Sequence, residues 1–158
     1  MIHSTFSSRA GGIKVFSNEN NLIKIEFLGS NFEEVTSSDA LLAEAKKQIL
    51  AFLAGDLTQF NLPYQIEGTD FQKQVWSYLT SIPFGELRSY LDVAIGLRNP
   101  KAVRAVGGAA NKNPLPLLIP CHRVIGKSGR LVGFAPGLDL KGQLLGLEGH
   151  RIIGNSVT

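Results

Sequence analysis

The chain has 158 residues, of which 44% are hydrophobic and 18% charged, with a net charge of +3. That length suits one medium domain or two small ones with a self-sufficient core, and the composition excludes a disordered chain. No run of about 18 apolar residues occurs, so no membrane span is expected, and residues 1–12 lack the apolar stretch of a secretory signal.

In chain order, residues 13–16 and 22–28 read as strands, rich in Ile, Val and Phe, with turn chemistry at 17–21. Ser38 is the expected N-cap of a helix in which Leu41, Leu42, Ala45, Ile49, Phe52 and Leu53 recur at helical spacing, with Gly55 as the stop. Residues 56–68 read as a connector, placing a boundary near 62–68: an α/β N-terminal domain over 1–65 and a mainly α C-terminal domain over 66–158.

Thr69 is expected to cap the next helix, with Phe71, Val75, Trp76 and Leu79 on one face, ended at 83–85. Ser89 caps a short helix from Tyr90, and Asn99 and Pro100 stand as cap and first residue of another. Two short helices across a three- or four-residue break have helix-turn-helix spacing. The second contains Ala102, Ala105, Gly107, Gly108, Ala109 and Ala110, small residues that let a surface approach closely, either DNA or the neighbouring helix. Residues 112–120 hold three prolines in an apolar run, too irregular for a helix and too apolar for a solvated loop. They deliver Cys121. Beyond a turn at 127–129 and an irregular loop at 131–137, a last helix presents Leu138, Leu144, Leu145 and Leu147 inward, and the tail from Gly149 is expected to be loose.

Charge divides unevenly. Residues 1–61 carry five Lys/Arg and seven Asp/Glu; residues 62–158 carry eleven and six. Eight of the basic residues (Arg88, Arg98, Lys101, Arg104, Lys112, Arg123, Lys127 and Arg130) fall within 86–130, so a polyanion is the expected partner of the second part only.

Cys121 is the only cysteine, so neither an intrachain disulfide nor a multi-thiolate zinc site exists, and His3, His122 and His150 are far apart in sequence. No metal or cofactor is expected, and a reducing compartment is the default. A lone cysteine is either a small buried hydrophobe or a nucleophile. Its rigid approach, the adjoining His122 and Arg123, and Glu148 in the last helix favour a Cys-His-carboxylate arrangement, because a thiol with ordinary acidity is scarcely ionised at neutral pH.

The segment 119–126, IPCHRVIG, resembles the active-site signature of the O6-alkylguanine-DNA alkyltransferases, the methylated-DNA–protein-cysteine methyltransferases. IPFGELRSY at 82–90, NPKAVRAVGGAANKNP at 99–114 and GFAPGLDLKGQLLGLEGH at 133–150 resemble that family's corresponding segments in the same order. The resemblance implies an RNase H-like N-terminal domain and a winged-helix-like C-terminal domain. It implies single-turnover transfer of an alkyl group from O6-alkylguanine, and from O4-alkylthymine, in flipped-out bases to Cys121. His122 would be the water-mediated base, Glu148 its carboxylate partner, and Asn113 the brace of the active-site turn. Tyr90 would turn the target phosphate and protonate the leaving base, and Arg104 would fill the gap left in the stack. Ala105, Gly107, Lys101, Arg98 and Arg123 would join Arg104 on the DNA minor groove. Pro116 and Phe134 would line the alkyl pocket, the Val124 carbonyl would read the guanine amino group, and the Ala135 amide would serve O6. In the family a glycine often stands where this chain has Arg98. The implied partner is double-stranded DNA, bound by a monomer, with cooperativity on DNA open, in the cytoplasm or on a bacterial or archaeal nucleoid.

Two other functional classes fit parts of the pattern. A non-catalytic sensor of alkylated DNA or a helix-turn-helix regulator would keep the basic face and make no use of the Cys121 thiol. A Cys-His hydrolase would turn over.

Overall fold

The computed structural model describes all 158 residues, which divide into two compact units, 1–66 and 67–158. The first is built on an antiparallel sheet of β1 (Ile2–Ser8), β2 (Gly11–Ser17) and β3 (Leu22–Gly29), with β2 central. Phe6, Ile13, Val15, Leu22 and Ile25 point to one core, which α1 (Ala40–Leu53) closes with Leu42, Ala45, Ile49, Phe52 and Leu53. Three features differ from the sequence expectation. The helix is capped by Asp39, whose Oδ2 accepts from the Leu42 amide at 2.9 Å, and Ser37 Oγ in turn accepts from the Asp39 amide; Ser38 is not the cap. The strand β1 was not expected, because its Ser- and Thr-rich sequence carries little hydrophobic alternation, yet Ser4, Thr5 and Phe6 are buried in it. The connector is also more ordered than its composition suggests, since Pro63 and Gln65 bond to the Leu22 backbone.

The second unit is helical. Thr69 and Gln72 form a reciprocal capping box at the start of α2 (Asp70–Thr80), and Ser89 and Asp92 form another at the start of α3 (Tyr90–Gly96). The chain then passes through a 3-10 turn, Pro100–Ala102, into α4 (Val103–Asn111). Pro100 holds the first position of that turn, but the Asn99 side chain makes no cap bond, so the expected Asn99 cap is absent. Within α4 the small residues divide. Val106, Ala109 and Ala110 are buried, and the Trp76 indole donates to the Ala109 carbonyl at 2.9 Å, fixing α2 on α4. Arg104, Ala105 and Gly108 face outward.

A two-residue parallel pairing of β4 (Arg88–Ser89) with β5 (Val124–Ile125) sets the start of α3 beside the segment that follows Cys121. The last helix, α5 (Leu138–Leu147), buries Leu144 and Leu145, with Leu138 and Leu147 half-buried. The tail is not loose. Ile152–Ile153 (β6) and Ser156–Val157 (β7) form a hairpin, and Asn155 and Ser156 pair with the loop at Arg130 and Leu131. No helix is long and apolar enough to cross a membrane.

Candidate active site

Cys121 opens a 3-10 turn, Cys121–Arg123, directly after Pro120, and is almost wholly buried. The proline-rich approach is held by the Asn113 side chain, whose Nδ2 donates to the Ile119 carbonyl at 2.7 Å while its Oδ1 accepts from the Leu115 amide at 2.9 Å. Leu117 accepts a left-handed backbone, φ 78°, inside this segment, and the Ile119 amide bonds back to the Leu115 carbonyl. Asn113 therefore braces a compact loop that presents the thiol. Burial pushes the Cys121 thiol pKa up, opposed by the Asn113 side chain and by the charge of Lys141. At rest the sulfur is a neutral thiol that needs a base.

Behind it lies a buried polar cluster. Glu148 caps the C-terminus of α5, where Gly149 and His150 close the helix with bonds to the Gly146 and Leu145 carbonyls. Its Oε2 lies 2.6 Å from His122 Nε2 and accepts from Arg123 Nη2 at 3.0 Å; its Oε1 accepts from Arg123 Nε at 2.8 Å and from the Gly85 amide at 3.1 Å. Burial alone would raise the Glu148 pKa, but the hydrogen bonds from His122, Arg123 and Gly85 outweigh it and hold it down at about 2. Burial lowers the His122 pKa, with Glu148 opposing. The pair is then a carboxylate beside a neutral imidazole. A carboxylate only accepts, so Nε2 carries the proton and Nδ1 is the basic nitrogen of the ring.

Arg123 corrects the sequence reading. It is 7% exposed, its third nitrogen, Nη1, donates to the Ile82 carbonyl at 2.7 Å, and its guanidinium lies 5.8 Å from the Phe84 ring centroid. Buried and bonded at every nitrogen, it serves the Glu148 carboxylate instead of standing on a solvent-facing surface. Arg88 is half-buried and paired with Glu86. Six of the eight basic residues in 86–130 remain outward: Arg98, Lys101, Arg104, Lys112, Lys127 and Arg130.

Tyr90, the first residue of α3, sends its hydroxyl to the Val132 carbonyl at 2.9 Å. Burial, and then the neighbouring Cys121, push its pKa up to about 12, so it stays a protonated donor at neutral pH. Pro116, Val124 and Phe134 are buried, whereas Ala135 is exposed. Sequence reasoning missed Lys141. Its side chain is fully buried, and its Nζ donates to the Val124 carbonyl at 2.5 Å and the Val132 carbonyl at 2.9 Å. Burial pulls its pKa down to about 8, opposed by Cys121. A signal existed: Leu138, Lys141, Leu145 and Glu148 follow 3-4-3 spacing, which sets a lysine and a glutamate on the inward stripe of a helix.

Comparison with known proteins gives a consistent result. The DNA-binding domain of 6-O-methylguanine DNA methyltransferase matches residues 70–150, and its ribonuclease-like domain matches residues 1–66. The methylated-DNA–protein-cysteine methyltransferase of Methanosarcina acetivorans is 44% identical over 94% of this chain and 99% of its own. The constitutive enzyme of that name from Bacillus subtilis is 50% identical over 68% of this chain and 66% of its own. Among solved structures, Mycobacterium tuberculosis OGT in complex with DNA superposes with a TM-score of 0.83 at 38% identity, covering 93% of this chain and 92% of that one.

Proposed function

The chain belongs to the 6-O-methylguanine DNA methyltransferase family, whose activity is direct-reversal DNA repair, and from that premise we propose how its residues carry out the transfer. The substrate is an O6-alkylguanine, with O4-alkylthymine as a second substrate, in double-stranded DNA. The alkyl carbon is out of reach in a stacked duplex, so the base is rotated out at a cost of a few kcal/mol. The α3–α4 pair acts as a helix-turn-helix whose second helix enters the minor groove. Arg104 fills the gap in the stack, exposed Ala105 and half-buried Gly107 allow close approach, and Lys101 and Arg98 meet phosphates.

The thiol proton of Cys121 leaves through a water to His122 Nδ1. The imidazolium that forms is stabilised by Glu148, itself fixed by Arg123 and the Gly85 amide. The sulfur then attacks the alkyl carbon from the side opposite O6. The S–C bond forms, the C–O6 bond breaks, and its electron pair passes to the guanine. Tyr90 donates its proton to the departing base and regains one from solvent, so the proton lost by the thiol balances the one gained by guanine. The Val124 carbonyl orients the guanine amino group, the Ala135 amide meets O6, and Pro116 and Phe134 bound the alkyl group. The product is a thioether with no leaving route, so each molecule acts once.

The observation that carries this reading is the buried Cys121 beside a neutral His122 whose Nε2 is committed to an ionised Glu148. Incubation with excess O6-methylguanine duplex DNA should add one methyl group per protein by intact mass, located on the Cys121 peptide. Multiple turnovers with an unmodified thiol would return the Cys-His hydrolase reading.

A further inference from the structure

Two donors converge on one carbonyl beside the thiol. The Tyr90 hydroxyl and Lys141 Nζ both donate to the Val132 oxygen, each at 2.9 Å. We propose that this carbonyl is a holding position for the Tyr90 hydroxyl, and that Lys141 is the positioning residue that keeps it satisfied when Tyr90 turns to the departing guanine. The inference rests on the proposed role of Tyr90 as proton donor.

A phenol O–H has one proton, and in this structure that proton is spent on Val132. To protonate a base, Tyr90 must give up that bond. Val132 lies at the surface and Lys141 beneath it, so from the buried side the carbonyl keeps a donor already in place when the phenol turns away. Lys141 supplies that donor, and because it is an ammonium its bond is charge-assisted. Its other bond, to the Val124 carbonyl, anchors Nζ to the backbone three residues past Cys121 and ties both ends of the 125–131 loop to one point. Lys141 therefore stays in place when Tyr90 leaves.

The adjoining backbone leaves room for the movement. Residue 133 is a glycine at φ +61°, and a Cβ there would come within 3.2 Å of the Tyr90 oxygen. The Lys141 nitrogen also lies 5.7 Å from the Tyr90 ring centroid, so the ring pivots beside a fixed cation. None of the bonds within the His122–Arg123–Glu148 cluster uses Lys141, so its burial is not explained by that cluster.

The test is a double-mutant cycle on the whole protein, measuring DNA affinity and the limiting first-order rate of methyl transfer from O6-methylguanine duplex DNA. The variants are Lys141→Met, which keeps the shape and removes the donor, Tyr90→Phe, and both together. Lys141→Met is expected to slow the limiting rate about tenfold when Tyr90 is present and by no more than about twofold in the Tyr90→Phe background, with affinity unchanged. Lys141→Gln, whose amide can still donate, should recover part of the rate, and it carries the same cycle if Lys141→Met fails to fold. Equal losses in both backgrounds, or a loss confined to DNA affinity, would overturn the shared-carbonyl proposal while leaving Tyr90 as proton donor. A Tyr90→Phe protein that transfers at the wild-type rate would instead remove the donor role, and the holding position with it.

Discussion

The C-terminal unit holds two sets of arginines built in opposite ways. Arg123 is buried, and each of its nitrogens donates to Glu148 or to the Ile82 carbonyl. Arg98 and Arg104 are exposed, and neither side chain takes part in a hydrogen bond or ion pair. The same residue type thus has two uses. A buried guanidinium offsets its desolvation only by satisfying a buried carboxylate in full, and that fixes geometry. An exposed one keeps its hydration and its reach, and remains available to a polyanion. Chemistry and DNA engagement should therefore separate on mutation.

The largest separation is expected at the thiol. Cys121→Ser should abolish methyl transfer, read as the absence of any mass increase, while DNA affinity in a fluorescence titration stays within about twofold of wild type. Loss of binding together with loss of transfer would show that the two regions are not independent.

Glu148→Gln tests the buried set. It leaves Arg123 without its carboxylate and His122 without an anionic partner, and breaking a buried pair costs about 3–5 kcal/mol. For a chain of this size each kcal/mol lowers the melting midpoint by about 2–4 °C. Acid titration gives the same test a sign. The Glu148 pKa lies at about 2 in the fold against an ordinary 4.5, so between those values the unfolded chain binds more protons. Its contribution is full above pH 4.5 and is lost as pH falls toward 2. His122, held neutral by burial, acts in the same direction at higher pH, removing stability as pH falls below its ordinary 6.5. The difference in midpoint between wild type and Glu148→Gln should shrink steadily below pH 4.5. A difference independent of pH would contradict an ionised Glu148 in the fold.

Arg104→Ala tests the exposed set. Repair of duplex DNA should slow roughly 10- to 100-fold, equivalent to about 1.4–2.8 kcal/mol of the few kcal/mol that unstacking costs. Reaction with free O6-alkylguanine, which needs no flipping, should change by less than about twofold. Equal losses on both substrates would refute the stacking role.

How much of this was legible in the sequence depends on what each residue obeys. Thr69 and Ser89 were readable as caps because the capping box is written in four consecutive residues. Asp39 and Ser38 are both good caps, and only the backbone, extended at Asp39, chose between them. The strand β1 and the final hairpin are held by pairing to distant segments, which local sequence does not record. Cys121, His122 and Glu148 are legible as a candidate site only through their joint pattern with the family. Arg123 was misread because a basic residue in a basic stretch looks solvated until its burial is known. Lys141 is hard to read because a lysine on a stripe otherwise built of leucines looks solvated until its burial is known.

The smallest effect concerns Arg98 and sharpens the contrast within the exposed set. Arg98 has φ 59°, in the left-handed region that favours glycine. It follows the cap of α3, its amide bonds to the Ile95 carbonyl, and the next amide, Asn99, bonds to the Ala94 carbonyl. These two bonds are those of a Schellman ending, whose left-handed residue is usually glycine because a Cβ crowds the carbonyl there. An arginine in this position is strained by about 1 kcal/mol or more, whereas a glycine would relieve the strain and lose part of the gain to its freer unfolded chain. The net expectation for Arg98→Gly is stabilisation of about 0.5 kcal/mol, a rise of roughly 1–2 °C in the melting midpoint. If the side chain meets a phosphate, the same variant should bind DNA less tightly, and the slope of log affinity against log salt should become shallower by about 0.9. A higher melting point with a shallower slope would mean that the arginine is kept for its charge against a backbone that prefers glycine. A higher melting point with an unchanged slope would place Arg98 outside the DNA contact and leave Lys101 and Arg104 to carry that edge of the face.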